Sequence, residues 1–249
     1  MPGLKRGRVA AYGAAVTNAL ATYTLEGSTA IVRMDDGKAN ALSDAMIATL
    51  LGAIDRAEKE ASALVLLGRA ERFSAGFDLR TMMSGVEAAR ALLTQGAELL
   101  MRLYGTPLPL VIGCTGHALA GGALTVLTGD VRIGAAGAYK IGLNEVQIGM
   151  PVPVLAMELA RDRLSKAELS RATLLATIYT PEEAVAAGYL DRVVPASDVE
   201  ARAKEEAARL GQLSRMAYGA TKDRLRGKTI AHIRGTLASD MAALMMPVS

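Results

Sequence analysis

The chain has 249 residues, 51% of them hydrophobic and 21% charged, which excludes whole-chain disorder and supplies the core of one large domain. A single cysteine excludes an internal disulfide, the two widely separated histidines argue against a histidine metal site, and nine Phe and Tyr with no Trp are thin material for stacking nucleic-acid bases. The formal charge of +3 is supplied by Lys5, Arg6 and Arg8 in an acid-free head, so the rest of the chain is balanced, with a basic excess only in residues 201–249.

Residues 1–22 read as an N-terminal extension: a transit peptide, a disordered head, a vector remnant or an upstream start would all look alike. A core is expected over 23–197 and a helical segment over 198–249. After a turn at Glu26-Gly27, residues 29–34 read as a strand. Ser43 caps a helix to about Glu60, with Met46, Leu50, Ile54 and Ala57 on one face. Ala63–Leu67 is a short apolar run suited to a strand buried on both faces. A loop of small residues covers 68–78, and a helix follows over about 86–104. Leu110–Cys114 is a second buried strand, with a helix starting near Gly121. The uncharged stretch 103–129 is long enough to span a bilayer, but Pro107, Pro109 and the adjacent Gly121 and Gly122 would leave backbone groups unpaired in lipid. Short strands are expected at 130–133, 138–141 and 189–194. Three Ser/Thr-x-x-Glu sequences, at Ser165, Thr180 and Ser197, predict capping boxes, and Gly188 closes the helix that starts at Pro181. Strands alternating with helices predict an α/β core, with the terminal helices as a subunit-contact element.

Three segments are candidates for chemistry. Phe73-Ser-Ala-Gly-Phe-Asp-Leu79 follows a buried strand, and its small residues let a ligand approach the backbone; an ordinary strand-to-helix loop would look the same. Gly116-His-Ala-Leu-Ala-Gly-Gly122 ends at a helix start, where free N–H groups suit an oxyanion, although tight helix packing also explains the glycines. Ile141-Gly-Leu-Asn-Glu145 places one carboxylate among apolar residues, where a lone Glu is ordinarily a surface residue.

Together, and with Lys38-Ala-Asn-Ala-Leu42 early and Thr180–Gly188 and Asp191-Arg-Val-Val194 late, these segments resemble the enoyl-CoA hydratase/isomerase (crotonase) superfamily from about Tyr23 to Leu244. The resemblance implies a crotonase-like spiral of ββα units with a C-terminal helical oligomerisation segment. It implies binding of an acyl-CoA thioester, with coenzyme A as part of the substrate and no separate cofactor or metal. It implies an oxyanion hole from the N–H groups of Phe77 and Gly121. Substrate contacts are expected at Ala39, Ala41, Ser74, Ala75, Gly76, Phe77, Asp78, Leu79, Ala120, Gly121, Leu124 and Glu145.

Hydratases of this superfamily use two glutamates, and here the first position is Leu124 while the second is Glu145. The Pro-free approach to Glu145 and the Ala120-Gly-Gly122 sequence look most like the Δ3,Δ2-enoyl-CoA isomerase branch. The expected reaction is therefore transfer of the double bond of a 3-enoyl-CoA to the 2-position, with Glu145 as the one base. A hydratase or other lyase of the superfamily, or a non-catalytic acyl-CoA-binding protein, are the alternatives. The resemblance also implies a homo-trimer or dimer of trimers, cytoplasmic, with no nucleic-acid or membrane partner, and Leu210, Leu213, Met216, Leu237, Met241 and Leu244 at the interface. Lys222 is expected either on a CoA phosphate or on the surface, His117 and Cys114 in packing roles, His232 towards solvent, and Asp78 as a loop-fixing residue.

Overall fold

The computed structural model describes residues 16–17 and 20–244; the other residues of the expected extension, and residues 245–249, lie outside the described set. Strand pairing starts before the expected boundary at Tyr23. β1 (Val16–Thr17) pairs antiparallel with β2 (Ala21–Glu26), which pairs antiparallel with β3 (Thr29–Met34). α1 (Asp44–Glu60) follows, capped by Ser43 and burying the predicted face. Then come β4 (Ala63–Leu67), β5 (Glu71–Ser74), α2 (Leu79–Met83), α3 (Val86–Gly105), β6 (Leu110–Cys114), β7 (Gly116–Leu119) and α4 (Gly121–Leu127). β8 (Val131–Ala135), β9 (Ile141–Gly142), α5 (Val154–Arg163), α6 (Leu169–Thr173) and α7 (Pro181–Ala187) lead to β10 (Arg192–Val194), α8 (Val199–Leu210) and α9 (Arg215–Leu244).

Two sheets organise the spiral. The larger has the order β1-β2-β3-β4-β6-β8-β10, parallel from β3 onward, and the smaller is the parallel trio β5-β7-β9. Each turn of the chain gives one strand to the large sheet and the next to the small one: β4 then β5, β6 then β7, β8 then β9. This is the crotonase-like spiral that the sequence leads one to expect. Strand alternation divides the core. Leu64 and Leu66 of β4 face the main apolar core with α1 and α3, while Val65 and Leu67 face a smaller cluster closed by Ala203 and Ala207 of α8.

Two predicted strands are shorter than expected, because other partners use their N–H groups. Tyr139 N–H turns back to the Gly137 carbonyl and Lys140 N–H goes to His117 Nδ1, so pairing starts only at Ile141. Gly188 closes α7 in the left-handed region, and the N–H groups of Tyr189 and Leu190 return to the Ala184 carbonyl, which delays β10 to Arg192. The capping box at Thr180 forms in both directions, whereas Ser165 and Ser197 cap nothing. Among the described residues no helix is long and apolar enough to cross a membrane.

Candidate active site

All three candidate segments leave the C-terminal ends of the small sheet's parallel strands: residues 75–78 after β5, 120–121 after β7 and 143–145 after β9. Parallel register brings these exits to one edge, where α/β proteins ordinarily hold ligands.

The first exit is fixed by a buried polar knot. The Asn40 side chain, fully buried and with φ at +51°, donates to the carbonyls of Met34, Arg72 and Phe73. Ser74 Oγ donates to the Asn40 carbonyl and accepts from Gly76 N–H. Ser74 is buried, so it shapes the loop from behind and does not line the cavity. A parallel bridge to Leu42 uses the Gly76 carbonyl and the Asp78 N–H, which turns the Phe77 N–H to the opposite side, where no acceptor meets it among the described residues. Gly76 has φ +93°, and a Cβ there would lie 3.0 Å from the Leu119 carbonyl oxygen and 3.1 Å from the Gly121 nitrogen. The two exits therefore touch closely at Gly76, with the Ala120 Cβ also at 3.1 Å, at a position only glycine fills without strain.

The second exit turns at Ala120, which holds φ +47°, a strained value for a residue with a Cβ. That turn makes Gly121 the first residue of α4, whose N–H has no intrahelical acceptor. Gly122 packs so closely that a Cβ would meet the Ser74 carbonyl oxygen at 2.1 Å.

The third exit delivers Glu145 to a cavity of about 400 Å³. Of the residues expected to contact substrate, Ala75, Phe77, Leu79, Ala120, Leu124 and Glu145 line it, together with Met82, Met83, Leu93, Asn144, Ile148, Met150, Pro153, Leu155 and Met241. Glu145 is only 6% exposed, its Oε2 has no hydrogen-bond partner, and burial pushes its pKa up, an effect its own backbone N–H partly offsets. Among the described residues no cation pairs with it, so none of them locks it as a carboxylate. It is the one titratable side chain among the described residues lining this cavity.

Ala39, Ala41 and Asp78 sit elsewhere. They line a neighbouring groove of about 300 Å³ with Asp36, Lys38 and Arg80. Asp78 caps α2 by accepting from the N–H and Oγ1 of Thr81, which lowers its pKa and fits its loop-fixing role. His117 packs edge-on to Tyr139 and accepts a backbone N–H, and Cys114 is fully buried with its thiol pushed up to about 12. Both are packing residues, and His232 is exposed.

Lys222 meets neither expectation placed on it. It is 5% exposed, donates to the Leu108 carbonyl and pairs with Asp130 at 2.6 Å, with Arg226 on the other carboxylate oxygen at 2.9 Å. A basic stripe on a terminal helix reads as surface in a sequence, because its counter-ion lies 92 positions away. The apolar residues of α9 also divide. Leu237 and Met241 pack against this chain's own core and Met241 lines the cavity, whereas Met216 is 83% exposed. The cavity's methionines and Asn144 escaped sequence reasoning because they share no spacing; only folding brings α2, β9 and α9 together.

Known proteins resemble most of this chain. Residues 24–244 match the family described as enoyl-CoA hydratase/isomerase. The mitochondrial enoyl-CoA delta isomerase 1 of Homo sapiens is 31% identical over 209 residues, covering 82% of this chain and 69% of the human protein. The apo structure of an enoyl-CoA isomerase from Mycobacterium tuberculosis is 42% identical with a TM-score of 0.85, covering 90% of this chain and 97% of that one. An enoyl-CoA hydratase from Mycobacterium ulcerans is 40% identical with a TM-score of 0.87, covering 91% and 99%.

Proposed function

The chain belongs to the enoyl-CoA hydratase/isomerase family, and we propose that within it the protein is an isomerase moving the double bond of a 3-enoyl-CoA to the 2-position. The observation that carries this reading is the single carboxylate: Glu145 lines the cavity, and Leu124 stands where a hydratase would hold its other glutamate.

In this reading the Glu145 carboxylate removes a proton from C2 of the substrate. The C–H electron pair forms the C2–C3 double bond as the original C3–C4 π electrons localise on C4 in the dienolate's resonance form, with charge shared by the thioester oxygen. The N–H groups of Phe77 and Gly121 hold that oxygen, each such donor being worth about 3–4 kcal/mol in related sites. Protonated Glu145 then returns its proton to C4, and the carbonyl re-forms. Nothing is oxidised and no water is consumed. Burial suits the task, because a raised pKa makes the carboxylate a better base and its acid form a ready donor. The acyl chain lies among the methionines and leucines of the cavity. The pantetheine and nucleotide run past Ala75 along the groove of Ala39, Ala41 and Asp78, where Lys38 and Arg80 supply positive charge for phosphate. The same reading includes a trimer or dimer of trimers.

Glu145→Gln keeps the shape but cannot take a proton. Isomerisation of 3-enoyl-CoA should fall by at least about 10²-fold while acyl-CoA binding persists. Wild-type turnover of 2-enoyl-CoA to the 3-hydroxy product faster than isomerisation would instead identify a hydratase. Near wild-type isomerisation by the Gln variant would remove Glu145 as the base.

A further inference from the structure

Glycine inside a helix costs stability relative to alanine, so a buried one calls for a reason. Gly96 is buried in the middle of the 20-residue α3. A Cβ there would lie 2.1 Å from Cε1, 2.6 Å from Cζ and 3.3 Å from Cδ1 of Phe77, and these are the three nearest atoms it would meet. Carbon atoms in ordinary contact stand about 3.5–4.0 Å apart. None of the three is backbone, in contrast to Gly122, whose Cβ would meet the Ser74 carbonyl. The absent Cβ of Gly96 is therefore a notch in α3 that takes the edge of one aromatic ring.

The opposite edge of that ring meets Gly121, where a Cβ would lie 3.0 Å from Cε2 and 3.1 Å from Cδ2. The Phe77 backbone has little freedom to yield, because the bridge to Leu42 holds the residues on both sides of it. The side left open is the cavity, which Phe77 lines together with Leu93, one turn before Gly96 on the same face of α3. A ring expelled from the notch turns into that space. The cavity of about 400 Å³ has room for roughly a dozen water-sized groups, which is the scale of an acyl chain of about ten carbons. A phenyl ring swung into it would displace part of such a chain.

We propose that Gly96 determines acyl-chain specificity: its notch seats the Phe77 ring between α3 and Gly121 and so keeps open the space that a long apolar acyl chain fills. Gly96 acts through Phe77 and touches no substrate. The proposal rests on the reading of this cavity as the acyl site, but its claim concerns binding and needs no turnover.

Gly96→Ala fills the notch, and calorimetry with CoA, butyryl-CoA and decanoyl-CoA reads the result. Decanoyl-CoA should bind about tenfold more weakly than to wild type, the affinity of roughly two buried methylenes. Butyryl-CoA should lose less, and CoA itself nothing, because Ala39 and Ala41 place its groove apart from the ring. Phe77→Leu lacks Cε1 and Cζ, the two atoms the new Cβ would meet most closely, so in that background Gly96→Ala should no longer weaken decanoyl-CoA. Equal losses for all three ligands, or the same loss in both backgrounds, would overturn the proposal, as would unchanged decanoyl-CoA binding in folded Gly96→Ala. If Gly96→Ala does not fold, Phe77→Leu must restore the fold; a double variant that also fails to fold places the conflict outside the ring and sinks the idea. A wild type that binds decanoyl-CoA more tightly than CoA, loses that preference in Gly96→Ala and isomerises no 3-enoyl-CoA keeps the notch and removes the isomerase reading. A wild type with no preference for decanoyl-CoA over CoA removes the notch.

Discussion

In the proposed reading Glu145 carries opposite demands for stability and for catalysis. Its folded pKa is raised above the ordinary 4.5 by burial, so the folded state holds its proton more tightly than the unfolded chain does. Stability from that proton is fully present below the unfolded pKa and is lost as pH rises through the folded pKa. At neutral pH the ionised group is therefore a net cost. Glu145→Gln should melt higher than wild type at pH 7, and the gain should vanish below about pH 4, where both side chains are uncharged. A Tm difference that is the same at both pH values would show that burial does not set the carboxylate's state. The neighbouring backbone carries the complementary task. Gly76 and the strained Ala120 turn the chain so that the N–H groups of Phe77 and Gly121 are left without an acceptor among the described residues, and in the proposed reading these hold the thioester oxygen without an acid or base.

At the scale of elements, the three Ser/Thr-x-x-Glu sequences show how tertiary charge overrides a local motif. At Thr180 the hydroxyl accepts from Glu183 N–H and the Glu183 carboxylate accepts from Thr180 N–H, with both groups near solvent and Arg171, the cation nearby, paired with Glu168 and not with Glu183 among the described residues. Glu168 instead accepts from Tyr179 and Arg171, and Glu200 pairs with Arg33 at 2.5 Å and Lys204 at 2.8 Å. A carboxylate offered a cation leaves a neutral N–H, because the charged bond is the stronger. Thr180→Ala should therefore cost about 1 kcal/mol in urea unfolding, while Ser165→Ala and Ser197→Ala should stay within about 0.5 kcal/mol of wild type. Equal losses at all three would mean that the motif works regardless of its neighbours.

At the scale of the whole molecule, α9 is held by charge as well as by apolar packing. Asp130, just before β8, takes both Lys222 and Arg226, and burial lowers the Lys222 pKa to about 8 while Asp130 opposes that fall. The same helix places Met241 in the cavity, so the knot anchors one wall of the site from far along the chain. Asp130→Ala would leave two buried cations without their counter-ion, which typically costs about 3–5 kcal/mol. Weaker acyl-CoA binding should accompany that loss as α9 loosens, measured by unfolding and by calorimetry on the same variant; full stability would show that the knot does not hold the helix. The assembly proposal rests on what α8, α9 and the linker between them leave uncovered: Leu213 is 50%, Met216 83% and Leu225 72% exposed. Light scattering at micromolar concentration should give a trimer or its multiple, and a monodisperse monomer would overturn it.

Sequence alone determined what is written in short-range pattern. The strands 63–67 and 110–114 are continuous apolar runs, α1 carries its cap and its 3.6-residue stripe, and the three ligand segments sit where apolar runs break into small residues. Glu145 stood out because a carboxylate among Ile141, Leu143 and Val146 is locally anomalous. Tertiary structure decided everything that depends on pairing across long separations. It turned the loop of small residues into a strand and a polar knot through Asn40, 33 positions from the Phe73 carbonyl it holds. It buried Lys222 against Asp130, and it moved Ala39 and Ala41 into a groove separate from Glu145. The physical reason is that periodicity reports which face of an element is apolar, whereas a hydrogen bond or ion pair is chosen by whichever partner the spiral brings within about 3 Å.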